Sequence, residues 1–470
     1  MHAWLQPESV HVAGEGEADR VLSDDGDSPL VEDADSVLAY AVSADGIDWQ
    51  APELGLHEYR GSSANSIVKT RDGLACSVVK DTREADPSAR YKMLYCDGNM
   101  GISAASSPDG VVWNDCEQNP VILHPPGHDS QNVLYFDSRL DRFVAITRDR
   151  EGKIADVKPS LLETDEAREQ YRQLWRQLPD AKSHRRVGMC EATSTDLTGW
   201  TRQRTILQHD QQDTVQGGEI CKCAAADLLH FCARFADLAD SEASPSDNMQ
   251  VLDHPSSPMR IGLCTVFSSE LRFCRGPVQL AWSRDGRRWS RPSGPRHDFL
   301  PLSERRGDPD WGAIYPFQAP VIVGDEFFIY YNAVGLDHNH EPLPEVDGLP
   351  NGVGLAVMPR DRFVAFRHEA NDDSEPAVGE LVTRAFVCVG GGLLINAQVR
   401  PGGWLRVAVT HADGTEVEGF TTGDSDAFVG DALEHRVSWG GGSAFEALRG
   451  ETVRLVFRLC GADLFSFAQG

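Results

Sequence analysis

The chain has 470 residues, a formal net charge of −28 and a hydrophobic fraction of 41%. That length exceeds one ordinary domain and suits a large repeat domain followed by a small one. The acidic balance argues against nucleic-acid or anionic-membrane partners, and no run approaches the ~20 apolar residues of a membrane span.

With 43 Gly and 26 Pro among many short apolar runs, the composition favours an all-β chain. The 11 cysteines include no Cys-x-x-Cys pair, Cys221-Lys222-Cys223 coming nearest, and read as reduced core residues. Met1 to Gly14 has neither a basic start nor an apolar run, so no signal peptide is read there. A cytoplasmic location is expected, or a secreted one if the chain as read starts late.

Residues 1–36 are acidic, Gly/Asp-rich and weakly patterned, and are expected to hold an incomplete first blade. A repeated word then begins. Ser43-Ala44-Asp45-Gly46-Ile47-Asp48-Trp49 recurs as Ser107-Pro108-Asp109-Gly110-Val111-Val112-Trp113 and as Ser283-Arg284-Asp285-Gly286-Arg287-Arg288-Trp289. Ser194-Thr195-Asp196-Leu197-Thr198-Gly199-Trp200 keeps Ser, Asp and Trp but moves the Gly. The word reads as a hairpin: Gly accepts positive φ, Asp bonds its own backbone, Ser ties the turn and Trp plugs it.

Each copy follows a short apolar strand, the first being Val37–Ala41. A fifth such strand, Val353–Val357, runs into a degenerate copy at Arg360–Phe363. A unit recurring every roughly 60–90 residues is a repeat architecture. The fold predicted is a five-bladed β-propeller over residues 37–370, followed by a small β-sandwich over 377–470.

After each word a polar loop leads into a new strand. Asn65 leads into Ile67–Lys69. His128-Asp129-Ser130-Gln131-Asn132 leads into Val133–Phe136, with Arg142–Arg148 returning. Gln216-Gly217-Gly218-Glu219 leads into Ile220–Ala225, with Leu228–Phe235 returning. Asp308-Pro309-Asp310-Trp311 leads into Gly312–Pro316.

Ser160–Leu178 has one-face helical spacing, from Ala167 and Tyr171 to Leu174 and Leu178, and reads as an inserted helix ended by Pro179. Residues 236–258 read as a surface loop.

Innermost strands of a propeller line a funnel, so their lead-in residues gather at its mouth. Three carboxylates are expected there, Asp129, Glu219 and Asp310, in the arrangement glycoside hydrolysis needs: a protonated acid and a nucleophile or base. Glu219 is the preferred acid. Asn65, Gln131, Asn132, Gln216 and Arg148 are expected to contact substrate, with Trp311 and Tyr315 stacking on a sugar face. His338, in Asp337-His338-Asn339-His340, reads as a substrate-contacting loop residue rather than a metal ligand. Neither a metal nor a cofactor is expected. The absence of His-Glu-x-x-His, Walker, Gly-x-Ser-x-Gly and Rossmann patterns removes zinc proteases, NTPases, the usual serine hydrolases and dinucleotide enzymes.

Three stretches, Tyr40–Trp49, Asp129–Val133 and Val278–Trp289, together with the C-terminal runs Leu394–Ala397, Val453–Phe457 and Asp463–Phe467, resemble a widespread group of bacterial proteins. These are five-bladed β-propellers related to invertase- and arabinanase-type glycoside hydrolases, with a C-terminal β-sandwich. The resemblance covers residues 37–470. It implies a carbohydrate-active enzyme with three acids at the funnel: base or nucleophile, stabiliser and acid. The invertase-type Trp-x-Asn-Asp-Pro, Arg-Asp-Pro and Glu-Cys motifs are absent, Gly307-Asp308-Pro309 being a partial echo. The word also resembles the sialidase Asp-box, one residue shorter, but no arginine triad accompanies it.

The expected function is glycoside hydrolysis of a glycan or oligosaccharide. The alternative is a non-catalytic carbohydrate-binding or scaffolding propeller. Oligomeric state is not legible in the sequence.

Overall fold

The computed structural model describes residues 2–5, 37–59, 61–70, 74–96, 101–123, 132–150, 186–208, 248–253, 259–266, 268–270, 273–291, 297–317, 320–336, 352–368, 378–442 and 445–470. The chain forms two compact units, Met1–Ala319 with Tyr330–Gly354, and Pro320–Ile329 with Leu355–Gly470. Among the described residues no helix is long and apolar enough to cross a membrane. Cys76, Cys96, Cys116, Cys190, Cys264, Cys388 and Cys460 are not joined in disulfides. The expected helix at 160–178 lies outside the described residues.

The fold is all-β, a propeller followed by a β-sandwich. The first unit is a succession of antiparallel sheets. Sheet one holds β1 (His2–Leu5), β2 (Val37–Val42) and β3 (Ile67–Thr70). Sheet two holds β4 (Leu74–Lys80), β5 (Tyr91–Cys96) and β6 (Gly101–Ser107), with β7 (Asn114–Asp115) and β8 (Ile122–Leu123) both on β6. Sheet three runs β9 (Val133–Asp137), β10 (Arg142–Arg150), β11 (Arg186–Ser194), β12 (Arg204–Gln208).

Sheet four begins with β13 (Asn248–Asp253) and β14 (Arg260–Thr265). A small hairpin follows, β15 (Ser268–Glu270) with β16 (Phe273–Arg275). The sheet resumes with β17 (Val278–Ser283) and β18 (Trp289–Ser290). Sheet five comprises β19 (Ala313–Pro316), β20 (Val321–Val323), β21 (Glu326–Val334) and β22 (Gly352–Pro359), its β19–β21 pairs lying in the first unit and its β20–β21 pairs in the second.

The four words form as their residue types dictate. In the first, the Ser43 hydroxyl accepts the Gly46 amide at 2.7 Å, Asp45 Oδ1 accepts the amides of Ile47 and Asp48 at 2.8 and 2.9 Å, and Trp49 Nε1 donates to the Gly46 carbonyl at 3.1 Å. The same bonds recur in the other three copies. The degenerate copy keeps a left-handed residue, Asp361 at φ 64°, and sets Phe363 5.2 Å from Phe327.

Sheets two and three are buried on both faces, because a neighbour covers each, whereas β20 and β22 of sheet five stay partly exposed. β5 accordingly is buried along its whole length, Lys92 included. Sheets one and two share Leu38, Tyr40, Val68, Met93 and Tyr95. Sheets two and three share Leu94, Ile102, Leu134 and Phe143, and sheets three and four share Tyr135, Ile146, Cys264 and Trp289. Between sheets four and five the Thr265 hydroxyl donates to the Ile314 carbonyl at 2.8 Å. Tyr330 of sheet five in turn donates its hydroxyl to the Gly46 carbonyl of sheet one at 2.7 Å, with Trp49 edge-on at 5.6 Å.

Two expectations need correction. The strand led by Asn65 is not innermost: β3 pairs back onto β2, past the word, and forms the outer strand of its sheet. The Ile67–Thr70 run can satisfy its backbone on β2 because the chain after the word continues the same hairpin. Residues 236–258 are not loop throughout. Asn248–Asp253 forms β13 and takes, against β14, the edge place expected for Ile220–Ala225, which lies outside the described residues. In sheet one β1 stands where the other sheets have their second strand, so the N-terminal segment supplies part of that blade.

In the second unit, β23 (Phe366–His368), β24 (Gly379–Val382) and β25 (Phe386–Val387) pair with β28 (Thr452–Gln469). β28 also pairs along its length with β26 (Leu393–His411), which carries β27 (Asp431–Arg436). The β26–β28 ladder shifts register between Val399 and Trp404, where Gly402 takes φ 83°. Leu393, Ile395, Leu405, Val407, Phe457 and Leu464, from both sides of that irregularity, enclose one core around Phe445 and Trp439.

Candidate functional site at the first-strand lead-ins

The first strands of consecutive sheets lie side by side: β4 beside β9, β9 beside β13, β13 beside β19. Of the residues leading into them, the structure describes Asn132 ahead of β9 and the segment 297–312 ahead of β19. Asp310 is the sequence-predicted acid that the structure describes there.

Its turn is firmly built. Ser303 donates its hydroxyl to the Asp308 carboxylate, Asp308 N–H donates to the Arg305 carbonyl at 3.1 Å, and Trp311 N–H donates to the Asp308 carbonyl at 3.1 Å. Arg275, at the end of β16 in the small hairpin, clamps the turn, donating Nε to the Trp311 carbonyl at 2.9 Å and Nη2 to the Ser303 carbonyl at 2.8 Å. Gly312 follows because nothing larger fits: a Cβ there would lie 1.7 Å from the Leu336 carbonyl oxygen.

The turn's two aspartates differ. Asp308 is tied to Ser303. Asp310 is half-buried, and among the described residues nothing hydrogen-bonds its carboxylate. Beside it stands Tyr331, whose phenol is pushed up by burial and then by the Asp310 charge. The Tyr331 ring lies over Gly354, where a Cβ would come within 2.2 Å of it. A carboxylate with open lone pairs beside a neutral phenol can accept and relay a proton, or stabilise developing positive charge.

Other expected contacts are placed differently. Trp311 is only 5% exposed, with the Arg275 and Arg306 guanidinium groups 4.9 and 5.6 Å from its ring. It packs inside and offers no open face to a sugar. Tyr315 is half-buried against Ala313 and Val334. Asn132 is 1% exposed and donates Nδ2 to Cys96 Sγ at 3.3 Å, joining sheets three and two.

Asn65 organises the loop before β3: Nδ2 donates to the carbonyls of His57 and Ser62 at 2.9 and 3.0 Å, and Oδ1 accepts the Ile67 amide at 3.0 Å. Arg148 pairs with Met189 in the ladder, and its side chain lies outside the description. Asp129, Gln131, Gln216, Glu219 and His338 lie outside the described residues.

Sequence reasoning missed Tyr331 and Arg275. The signal for Tyr331 was Gly354 inside the third strand of its sheet, since a strand glycine marks a close approach. Nothing local connects Arg275 to residue 311. Elsewhere, Glu191 on β11 is held above the ordinary carboxylate range by burial, with Arg204 pulling the other way. It sits on a third strand, paired to the outer strand, and serves sheet packing. Among the described residues no His/Cys/Asp/Glu group is arranged to hold a metal.

No protein-family model and no curated protein matches the chain. Among solved structures it is similar to one described as a glycoside hydrolase, at 11% identity and TM-score 0.41 over 69% of this chain and 80% of that one. A Bombyx mori GH32 β-fructofuranosidase matches at 10% identity and TM-score 0.35, over 92% and 85%. A putative glycoside hydrolase from Parabacteroides distasonis matches at 12% identity and TM-score 0.35, over 62% and 69%.

Proposed function

We propose that the protein is a glycoside hydrolase acting on a glycan or oligosaccharide through carboxylates where the first strands converge. The reading takes the ring as five-bladed and closed, supported by the Tyr330–Gly46 bond and the Trp49–Tyr330 contact between sheets five and one. The observation that carries the function is Asp310: an open carboxylate on a braced turn leading into a first strand, beside a raised phenol.

In this reading Glu219, which stands in the segment ahead of β13 and is not itself a first-strand lead-in, donates a proton to the leaving glycosidic oxygen. Asp310 and Asp129 serve as nucleophile or base and as stabiliser of the oxocarbenium-like transition state. Acid and nucleophile about 5–5.5 Å apart retain configuration at the anomeric carbon, and about 6.5–9.5 Å apart invert it. The Arg275 clamp keeps Asp310 in register with the reacting bond, the kind of positioning on which rate depends steeply.

The test is turnover of a panel of aryl glycosides and glycans by wild type, Asp310→Asn and Glu219→Gln. A drop of about 100-fold or more in kcat for both variants, with the fold intact, is the expected result. A wild type that hydrolyses nothing in the panel but binds glycans, with both variants binding equally, would overturn it in favour of a carbohydrate-binding propeller. The missing Trp-x-Asn-Asp-Pro motif favours that second reading.

A further inference from the structure

The second unit carries a cleft of about 380 Å³ on the face of β24, β28 and β26 that points away from its core. That volume falls within the ~300–1,000 Å³ range of small-molecule sites. Strand register builds it. Val382 pairs with Val456, and Val456 with Ala408, giving an apolar row across three strands. One step along, Glu380 pairs with Arg458; on the other side Arg454 pairs with Thr410. The 413–416 hairpin adds Asp413 and Glu416 to the wall.

The floor is recessed although it faces outward. Ala408 is 2%, Thr410 7% and Val456 9% exposed, while Val382 at the rim is 46% exposed. Both arginines are fixed: Arg458 Nη2 lies 2.8 Å from Glu380 Oε2, and Arg454 Nε donates to the Ala412 carbonyl at 3.1 Å. Held this way, the two guanidinium groups lose less freedom on meeting a ligand.

We infer that this cleft is a binding site for neutral sugar residues, separate from the propeller and independent of its catalytic reading. The lining selects against other classes. Among the described residues three carboxylates stand against two guanidinium groups, and Glu380 and Arg458 pair with each other, so there is no positive excess to hold an anion. Among the described residues no aromatic ring lines the cleft, so a flat aromatic ligand gains no stacking from them. A polyhydroxylated ring needs donors, acceptors and a patch for its C–H face. Here fixed arginines donate, Glu380 and Glu416 accept, the Thr410 hydroxyl does either, and the Val456–Ala408 floor receives C–H groups.

The test is saturation-transfer difference NMR on the full chain with sucrose, lactose, maltose and cellobiose at millimolar concentration. Variants are Arg454→Ala and Val382→Asp, both outside the core, with Asp310→Asn as propeller control. At least one sugar is expected to give transfer in wild type and in Asp310→Asn. Its affinity is expected to fall 10-fold or more in each cleft variant while the melting temperature holds. No transfer from any sugar overturns the inference, as does equal transfer in wild type and both cleft variants. Transfer lost only in Asp310→Asn places the sugar in the propeller and overturns it as well.

Discussion

The third hairpin word and the fourth have the same hydrogen bonds and opposite problems. In the fourth, Gly286 takes φ 72°, left-handed like Gly46 at 81° and Gly110 at 82° in theirs. In the third, Leu197 takes φ 69° at the same place. A leucine there costs about 1–2 kcal/mol relative to the right-handed region, yet Ser194 still accepts the Leu197 amide and Trp200 still donates to the Leu197 carbonyl. The turn is therefore imposed by Ser and Asp, and glycine only lowers its strain. Leu197 is 5% exposed and packs with Leu134, Phe143 and Ala192, so burial between blades offsets the strain. The fourth word has the reverse arrangement. A Cβ on Gly286 would come within 3.0 Å of Arg260 Nη1, so glycine is needed there for space as well as for φ.

Arg260 gives the largest expected effect. It is 1% exposed and pairs with Asp137, 0% exposed, whose other oxygen accepts the amides of Arg139 and Leu140. Arg260→Met leaves a buried carboxylate without its cation, which costs about 3–5 kcal/mol. Urea denaturation should show that loss, and a loss under about 1 kcal/mol would mean the amides alone satisfy Asp137. Gly286→Ala comes next, at about 2–3 kcal/mol from left-handed strain plus displacement of Arg260. Equal melting temperatures for Gly286→Ala and wild type would remove the spatial half of the comparison.

Leu197→Gly sharpens the contrast from the other side. It relieves the strained φ but deletes a buried leucine, whose removal costs about 2–5 kcal/mol, so a net loss of about 1–3 kcal/mol is expected. A stabilised variant would mean that strain outweighs packing at this word.

The words were legible in the sequence because every bond within them spans two or three residues. The strand at 248–253 was not. Met249, Val251 and Leu252 sit in a run of Ser, Asp and Pro, and only pairing with 260–265 makes them a strand. Asn65 misled for a related reason. Its β-branched successors announce a strand, but whether that strand opens a new sheet or closes the old one depends on β2, some thirty residues back. At the site, a polar turn before a first strand marked the pair Asp308 and Asp310. Which of them stays open depends on Ser303, and the brace on Arg275, neither of which any local pattern connects to the turn.

The smallest expected effect concerns charge in the third word. Asp196 is held below the ordinary carboxylate range by the Gly199 amide first, and then by the Thr198 amide and hydroxyl and the Ser194 hydroxyl, against an opposite pull from burial. A carboxyl whose folded pKa lies below its unfolded value, about 3.9, contributes stability that is complete above that value and lost as pH falls through the folded one. Asp196→Asn keeps an acceptor for the same amides but cannot titrate. The variant's denaturation midpoint should therefore fall less steeply than that of wild type below about pH 4, the two curves running parallel above pH 5. Gly46→Ala, made in the Asp196→Asn background, should lower both limbs equally, because it adds strain without charge. If Asp196→Asn instead lowers the midpoint by the same amount at every pH, the carboxylate holds the turn by geometry alone, and the left-handed Leu197 rests on hydrogen bonds that a neutral amide makes less well.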